Sequence, residues 1–340
     1  MADRAGVSLA TASRALNADT PYQGRPGIRE RVEAAADELG YEPNFHARAL
    51  ASAKSTTIGL VVHDIRDAYF ALIAGSVVRA AEQRGMFVTI VCTYRDPAQE
   101  LKYVKLLRAQ RPRAIIMAGS GFTTKSAYQP IEAELTCFEE AGGVVVSVVG
   151  DRGVGHRILV DNEGGSRSLA HALVDLGHTD FAVATGPARL VAVRDRLKGL
   201  RAGLGERGIE LGKNSVHHLD MTREAGVQLA RTIAAADDRP TCVVSTFDVM
   251  ACGLIAGFRA AGVDVPGEVS VAGFGDIPLA AEITPALTTV GVPLELIGQQ
   301  SVDLALSDEP EVRRTISFDA PVLLRSSTGP RSGRTRPQIA

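Results

Sequence analysis

The four cysteines of this chain, Cys92, Cys137, Cys242 and Cys252, form no CxxC pair. Their scatter excludes the usual zinc spacing and argues against a disulfide-built scaffold. An excess of positive charge is also missing, the net charge of the 340 residues being −2. That excludes a globally polybasic nucleic-acid coat but leaves room for a small local DNA reader. Long apolar runs are absent as well: a stretch such as 144–149 is far too short to span a bilayer. The first six residues do not read as a signal peptide, so a soluble, cytoplasmic protein without a membrane partner is expected. Lysine is scarce, six of 37 basic residues, and the rest are arginine, a bias better explained by GC-rich codons than by physics.

What is present is ample core material. Hydrophobic residues make up 45% of the chain and charged residues 22%, and the length suits two or three domains of about 150 residues each. The first 55 residues show short helical patterns and no convincing strand. Their basic and acidic residues balance but are unevenly placed: 22–31 hold three arginines and one glutamate, and 33–42 hold four acids and no base. A basic surface backed by an acidic one fits a domain that presents one face to DNA. From Thr57 onward, apolar runs alternate with amphipathic helices. Strands are predicted at 58–62, 87–92, 114–118, 144–149, 158–160, 181–185, 242–245 and 269–272. Helices are predicted at 68–84, 97–109, 166–176, 194–207, 223–236 and 249–261. Gly85, Gly142, Gly177, Gly208 and Gly262 stand where helices should stop. Such alternation predicts parallel, doubly wound sheets, and about 270 residues of it suits two lobes.

The run from Ala5 to Asn17 has helix-turn-helix logic. One helix ends at Gly6, Ser8 can cap the next, and Ala12, Ala15 and Leu16 form the buried stripe of that second helix. Leu9, Ala10, Ser13, Arg14 and Asn17 are left facing outward. Arg14 can pair bidentately with guanine while Thr11, Ser13 and Asn17 reach phosphates. The alternative is a capped helix hairpin with a solvated arginine.

The order of motifs around it is informative: Arg29-Glu30-Arg31-Val32, Glu38-Leu39-Gly40-Tyr41-Glu42-Pro43-Asn44, Ala47-Arg48-Ala49-Leu50 and Thr57-Ile58-Gly59-Leu60. Further on stand Val160-Asp161-Asn162, Leu176-Gly177-His178, Arg194-Asp195-Arg196-Leu197, Val265-Pro266, Gly273-Phe274 and Leu287-Thr288-Thr289-Val290. In this order and over nearly its whole length, the chain closely resembles the LacI/GalR family of bacterial transcription regulators.

The resemblance implies a fold: a small all-α helix-turn-helix domain with a hinge helix, joined to an α/β two-lobed core like a type I periplasmic binding protein. The implied boundaries are 1–43 for the DNA-binding domain and 44–55 for hinge and linker. The N-terminal lobe then takes 56–157 and 286–312, and the C-terminal lobe 158–285 and 313–326. A disordered tail of 327–340 remains. A homodimer on a near-palindromic double-stranded operator is implied, with Ser8, Leu9, Ala10, Thr11, Ser13, Arg14 and Asn17 at the DNA. Asn44, Ala47 and Leu50 match the hinge helix, Leu50 as the side chain that wedges between central base steps. The family's first helix also begins several residues earlier, with a valine where this sequence has Met1. The expectation is that Met1 is a misassigned start, and that without those residues operator binding is weak.

The implied effector is a sugar or sugar derivative between the lobes, near Tyr69, Phe70, Ser120, Asp161, Arg196, Phe247, Asp248 and Asp276. Ligands in such sheets lie beyond the carboxyl ends of strands. Most of these residues have a second reading. Phe70 can be packing, Asp161 a helix cap and Arg196 a surface cation, while Asp248 and Asp276 can cap helices. Two departures bear on the ligand. Thr246-Phe247-Asp248 stands where the family commonly has Ala-Asn-Asp, and Gly273-Phe274-Gly275-Asp276 where it often has Gly-Phe-Asp-Asp. Losing these polar groups favours a less hydroxylated or acidic molecule such as a sugar acid. No cofactor, metal or catalytic residue is expected. The rivals are a nucleotide-cofactor enzyme and a sugar-binding protein that does not bind DNA. Against the first, Gly119-Ser120-Gly121 lacks a third glycine and does not follow the first strand; the predicted helix-turn-helix opposes the second.

Overall fold

The computed structural model describes residues 1–16, 26–40, 55–148, 153–307, 309 and 312–331. The chain divides into two compact units, 1–56 and 57–340. Asn17, Asn44, Ala47 and Leu50 lie outside the described residues.

In the first unit, α1 (Ala2–Ala5) stops at Gly6, whose φ of 63° is the left-handed conformation that glycine adopts without strain. A β-carbon there would also press on Arg31, whose guanidinium donates to the Ala5 carbonyl. Helix α2 (Leu9–Ala15) starts at Ser8, whose Oγ accepts from the Thr11 N–H at 3.2 Å. Ala12 and Ala15 on α2 are fully buried. They pack with Ala2 and Ala5 and with Val32 and Ala35 of α3 (Ile28–Glu38). Small residues let three short helices approach closely enough to share this core.

The second unit begins at β1 (Thr57–Val62) and runs through α4 (Ala68–Glu82), β2 (Phe87–Cys92), α5 (Pro97–Gln110), β3 (Ala114–Ala118), α6 (Lys125–Glu140), β4 (Val144–Val148) and β5 (His156–Val160). There follow α7 (Asn162–Asp175), β6 (Phe181–Thr185), α8 (Val191–Glu206), β7 (Val216–His218), α9 (Arg223–Ala234), β8 (Cys242–Ser245), α10 (Asp248–Ala260) and β9 (Ser270–Gly275). The described part closes with α11 (Pro278–Glu282), β10 (Thr288–Gly291), α12 (Leu294–Ala305), β11 (Thr315–Phe318) and β12 (Val322–Leu323). Two six-stranded sheets result, ordered β11-β5-β4-β3-β1-β2 and β12-β10-β9-β8-β6-β7. Among the described residues, every pairing of these strands is parallel except that of β12 with β10. Strands β3, β4 and β6 are buried along their length, which is why they read as unbroken apolar runs: helices cover both faces. The five helix-stopping glycines all adopt φ between 68° and 89°.

Sheet pairing relocates the expected lobe crossings. β5 pairs with β4 (Val146 opposite His156) and β11 with β5, so both belong to the first sheet; β10 pairs with β9 (Thr288 opposite Ala272) and belongs to the second. The expected boundaries at 157/158, 285/286 and 312/313 each misplace a strand, because the chain changes lobe only after completing one. The start of the tail is not disordered either. Ser327 is buried and its Oγ donates to the Val271 carbonyl at 2.6 Å. Thr328 shares a hydroxyl bond with Thr288 at 2.7 Å, and the Arg331 N–H reaches the Leu176 carbonyl at 2.9 Å. Residues 332–340 lie outside the described part. Among the described residues no helix is long and apolar enough to cross a membrane.

Candidate functional site

On the first unit, the face of α2 opposite its alanine stripe is exposed. Leu9, a large apolar side chain, is 78% exposed, and Ala10, Ser13 and Arg14 are open beside it. Arg14 Nε donates to the Ala10 carbonyl one turn back (3.2 Å), which lays its guanidinium along the helix surface. Ser8 and Thr11 share a hydroxyl bond of 2.9 Å at the start of the helix.

In the second unit the carboxyl ends of both sheets' strands converge on one cavity. From the first lobe come His63 and Asp67 after β1, Tyr69 and Phe70 opening α4, Arg95 after β2, and Gly119 and Ser120 after β3. From the second come Arg196 on α8, Phe247 and Asp248 after β8, and Phe274 on β9, with Met221 and Ile277 beside them. Its volume is about 40 Å³, room for three or four waters at roughly 10–15 Å³ each.

Arg196 is the centre of this site. It is 2% exposed, lies 3.7 Å from the Phe274 ring centroid and 4.9 Å from that of Phe247, and is thus held between two aromatic faces. Its Nε donates to Asn162 Oδ1 (2.8 Å) and its Nη1 to the Thr246 carbonyl (2.6 Å). Burial lowers its pKa to about 10, the opposing attraction of Tyr69 and Asp248 being weaker. The hydroxyl of Tyr69, from the opposite lobe, is enclosed and pushed up to about 12 by burial. It lies in Arg196's field without a well-aligned hydrogen bond. Asp248 is raised to about 6, again chiefly by burial. Its Oδ1 accepts from Thr289 (2.6 Å) and its Oδ2 from the Ile277 N–H (3.0 Å), so both oxygens are committed.

Six of the eight effector residues expected from the sequence line the cavity: Tyr69, Phe70, Ser120, Arg196, Phe247 and Asp248. Asp161 and Asp276 do not. Asp161 caps α7, its Oδ1 accepting from the Gly164 N–H at 2.8 Å, and lines a separate shallow pocket with Arg194 and Lys198. Asp276 has φ 54° and directs its carboxylate to Arg325 Nη2 (2.7 Å), at the edge of a different groove. His63, Asp67, Arg95 and Met221 were not anticipated, although Arg95 and Asp67 follow strand ends and obey the rule that found the others. Among the described residues no three His, Cys, Asp or Glu side chains are grouped to hold a metal.

Residues 1–44 match the family model described as bacterial regulatory proteins, lacI family, and residues 170–328 match the periplasmic binding protein-like domain. The chain is 31% identical over 308 residues to the HTH-type transcriptional regulator GalS of Salmonella typhimurium, covering 90% of this chain and 88% of that one. It is 27% identical over 333 residues to the HTH-type transcriptional regulator DegA of Bacillus subtilis, covering 97% of each. Among solved structures it resembles the lac repressor dimer bound to operator and the anti-inducer ONPF, with 26% identity and a TM-score of 0.83 over 96% of this chain and 97% of that one. It also resembles the complex of the transcriptional regulator CelR with cellobiose, with 27% identity and a TM-score of 0.69 over 96% and 98% of the two chains.

Proposed function

The chain belongs to the lacI family of bacterial regulatory proteins, and on that premise we propose that it is a cytoplasmic, non-enzymatic repressor that binds a near-palindromic operator as a homodimer. Its operator affinity is set by a small molecule, a sugar or sugar derivative, held between the lobes of the core. The relatives' sugar and operator complexes support both halves of this reading. Leu9, Ala10 and Arg14 read base edges, Ser8, Thr11, Ser13 and Asn17 bind phosphates, and Asn44, Ala47 and Leu50 engage the minor groove.

The observation that carries the effector half is Arg196: a buried guanidinium rooted in one lobe and closed over by Tyr69 of the other. The cavity as it stands admits only a few waters, so a ligand of sugar size must part the lobes or move Phe247. Ligand affinity therefore differs between lobe arrangements, and that difference is what an allosteric ligand requires. Tyr69, Phe70, Ser120, Phe247 and Asp248 shape the contact. Gel-shift selection of genomic fragments with the full chain tests the DNA half. Enrichment of a near-palindromic site supports it; binding no tighter than to random DNA, or saturable binding of a nicotinamide or adenine cofactor instead, rejects it.

A further inference from the structure

The cavity is unevenly equipped for hydrogen bonding. Its carboxylate oxygens are already engaged: Asp67 Oδ1 accepts from the Tyr69 N–H at 3.1 Å and Oδ2 from Arg95 Nη2 at 3.1 Å, while Asp248 serves Thr289 and Ile277. Gly275 faces the space between Asp248 and Tyr69, where an added β-carbon would lie 3.4 Å from Asp248 Oδ2 and 3.5 Å from Tyr69 Cδ2, and it brings no side chain there. Donors, in contrast, are spare. Arg95 Nε is enclosed and has no acceptor, and the Tyr69 hydroxyl has no aligned partner.

Arg95 is placed there at a conformational cost. Tyr94 and Arg95 both adopt left-handed φ, 50° and 60°, in succession, a conformation in which the β-carbon of a non-glycine residue crowds the following carbonyl. The Tyr94 N–H to the His63 carbonyl (2.7 Å) and the Asp96 N–H to the Thr93 carbonyl (2.9 Å) hold the turn. It folds the guanidinium back beside Asp67 and within 5.8 Å of the Phe70 ring centroid. Strain kept at a cavity wall points to a role for the side chain it aims.

We propose that Arg95 selects the charge of the effector: the cleft takes a small hydroxylated carboxylate, whose carboxylate accepts from Arg95 while Arg196 binds the ligand's body. This deepens the cleft reading above and rests on it. A polyhydroxylated neutral ligand would have to share the oxygens of Asp67 and Asp248 with the donors already on them, whereas a carboxylate brings its own acceptors to the unmatched Arg95 Nε. Asp67 holds Arg95 by one nitrogen and leaves Nε for the ligand.

The test uses the full chain and matched pairs of probes: D-glucose with D-gluconate and D-glucuronate, D-galactose with D-galacturonate, and D-ribose with D-ribonate. Binding is read by calorimetry and thermal shift. An acid is expected to bind where its neutral partner, at equal concentration, does not. Arg95→Gln should weaken that acid at least tenfold, Arg95→Lys should retain part of the affinity, and Arg196→Gln should abolish it. Asp67→Asn keeps the cap of α4 but removes the internal competitor, so it should tighten acid binding several-fold, which tests the idea even if Arg95→Gln folds poorly. A neutral sugar that outcompetes its acid, full acid affinity in Arg95→Gln, weaker acid binding in Asp67→Asn, or no acid bound at all each overturns the proposal. Neutral-sugar binding lost in Arg196→Gln but unchanged in Arg95→Gln would overturn the charge assignment and leave the cleft standing. Binding indifferent to Arg196→Gln would remove both.

Discussion

Replacing Arg196 by glutamine should cost little stability and all ligand response. The guanidinium donates to Asn162 Oδ1 and the Thr246 carbonyl, and the shorter glutamine leaves at least one of these without a donor, a loss of about 1–3 kcal/mol. Two flanking rings at 3.7 and 4.9 Å add about 1–2 kcal/mol of lost cation–π attraction. Against this, a pKa lowered to about 10 from 12.5 means that burying the charge costs about 3 kcal/mol, which the neutral amide recovers. The opposing effects nearly cancel, and a net change within about 2 kcal/mol is expected. Urea unfolding, with and without a ligand that stabilises the wild type, measures both quantities. At one hundred times its dissociation constant such a ligand should add about 2.7 kcal/mol to the wild type and nothing to Arg196→Gln. A variant destabilised by more than about 5 kcal/mol would make Arg196 a core strut. A variant still stabilised by ligand would place the effector elsewhere.

Three further outcomes are expected. Arg14→Ala should weaken the selected operator by about 1–3 kcal/mol and relax one base pair per half-site; an equal loss on random DNA in anisotropy titrations would reduce Arg14 to a phosphate contact. Leu50→Ala should lessen operator bending and affinity while sparing effector affinity, and a circular-permutation assay showing unaltered bending would remove the wedge role. Asp248, raised to about 6 from 3.8 by burial, binds its proton more tightly in the folded chain. The resulting penalty is absent below about pH 4, grows as pH rises, and is complete above about pH 6 at about 3 kcal/mol. The stability of the wild type relative to Asp248→Asn should fall by up to that amount between pH 4 and pH 7, and parallel unfolding curves would contradict it.

Much of the fold was legible because burial on both faces writes parallel strands as apolar runs: the ends of β3, β6 and β8 fall where the runs do. Helix α6 was hidden by Pro130, which sits in its second turn although Ile131, Leu135 and Phe138 behind it form a buried stripe. Strands β10 and β11 are short and carry Thr288, Thr289, Thr315 and Ser317, so no apolar run marks them. Their sheet membership is decided by distant partners and has no local signal. At the site, the strand-end rule located Arg196 and its companions, but two questions were beyond it. Nothing in Tyr94-Arg95 announces two left-handed residues, and nothing near Asp276 announces Arg325, which claims its carboxylate from far along the chain. For Asp161 both readings were open until the Gly164 N–H resolved its carboxylate as a cap.

The central claim is that one ligand in the cleft changes the affinity of the helix-turn-helix for one operator. Anisotropy titration of the selected operator with the full chain, repeated in saturating concentrations of the ligand that raises its melting temperature, measures this coupling directly. A change of about 5–150-fold in operator affinity, absent in Arg196→Gln, is the predicted result. Tight operator binding that the bound ligand leaves unaltered would contradict it.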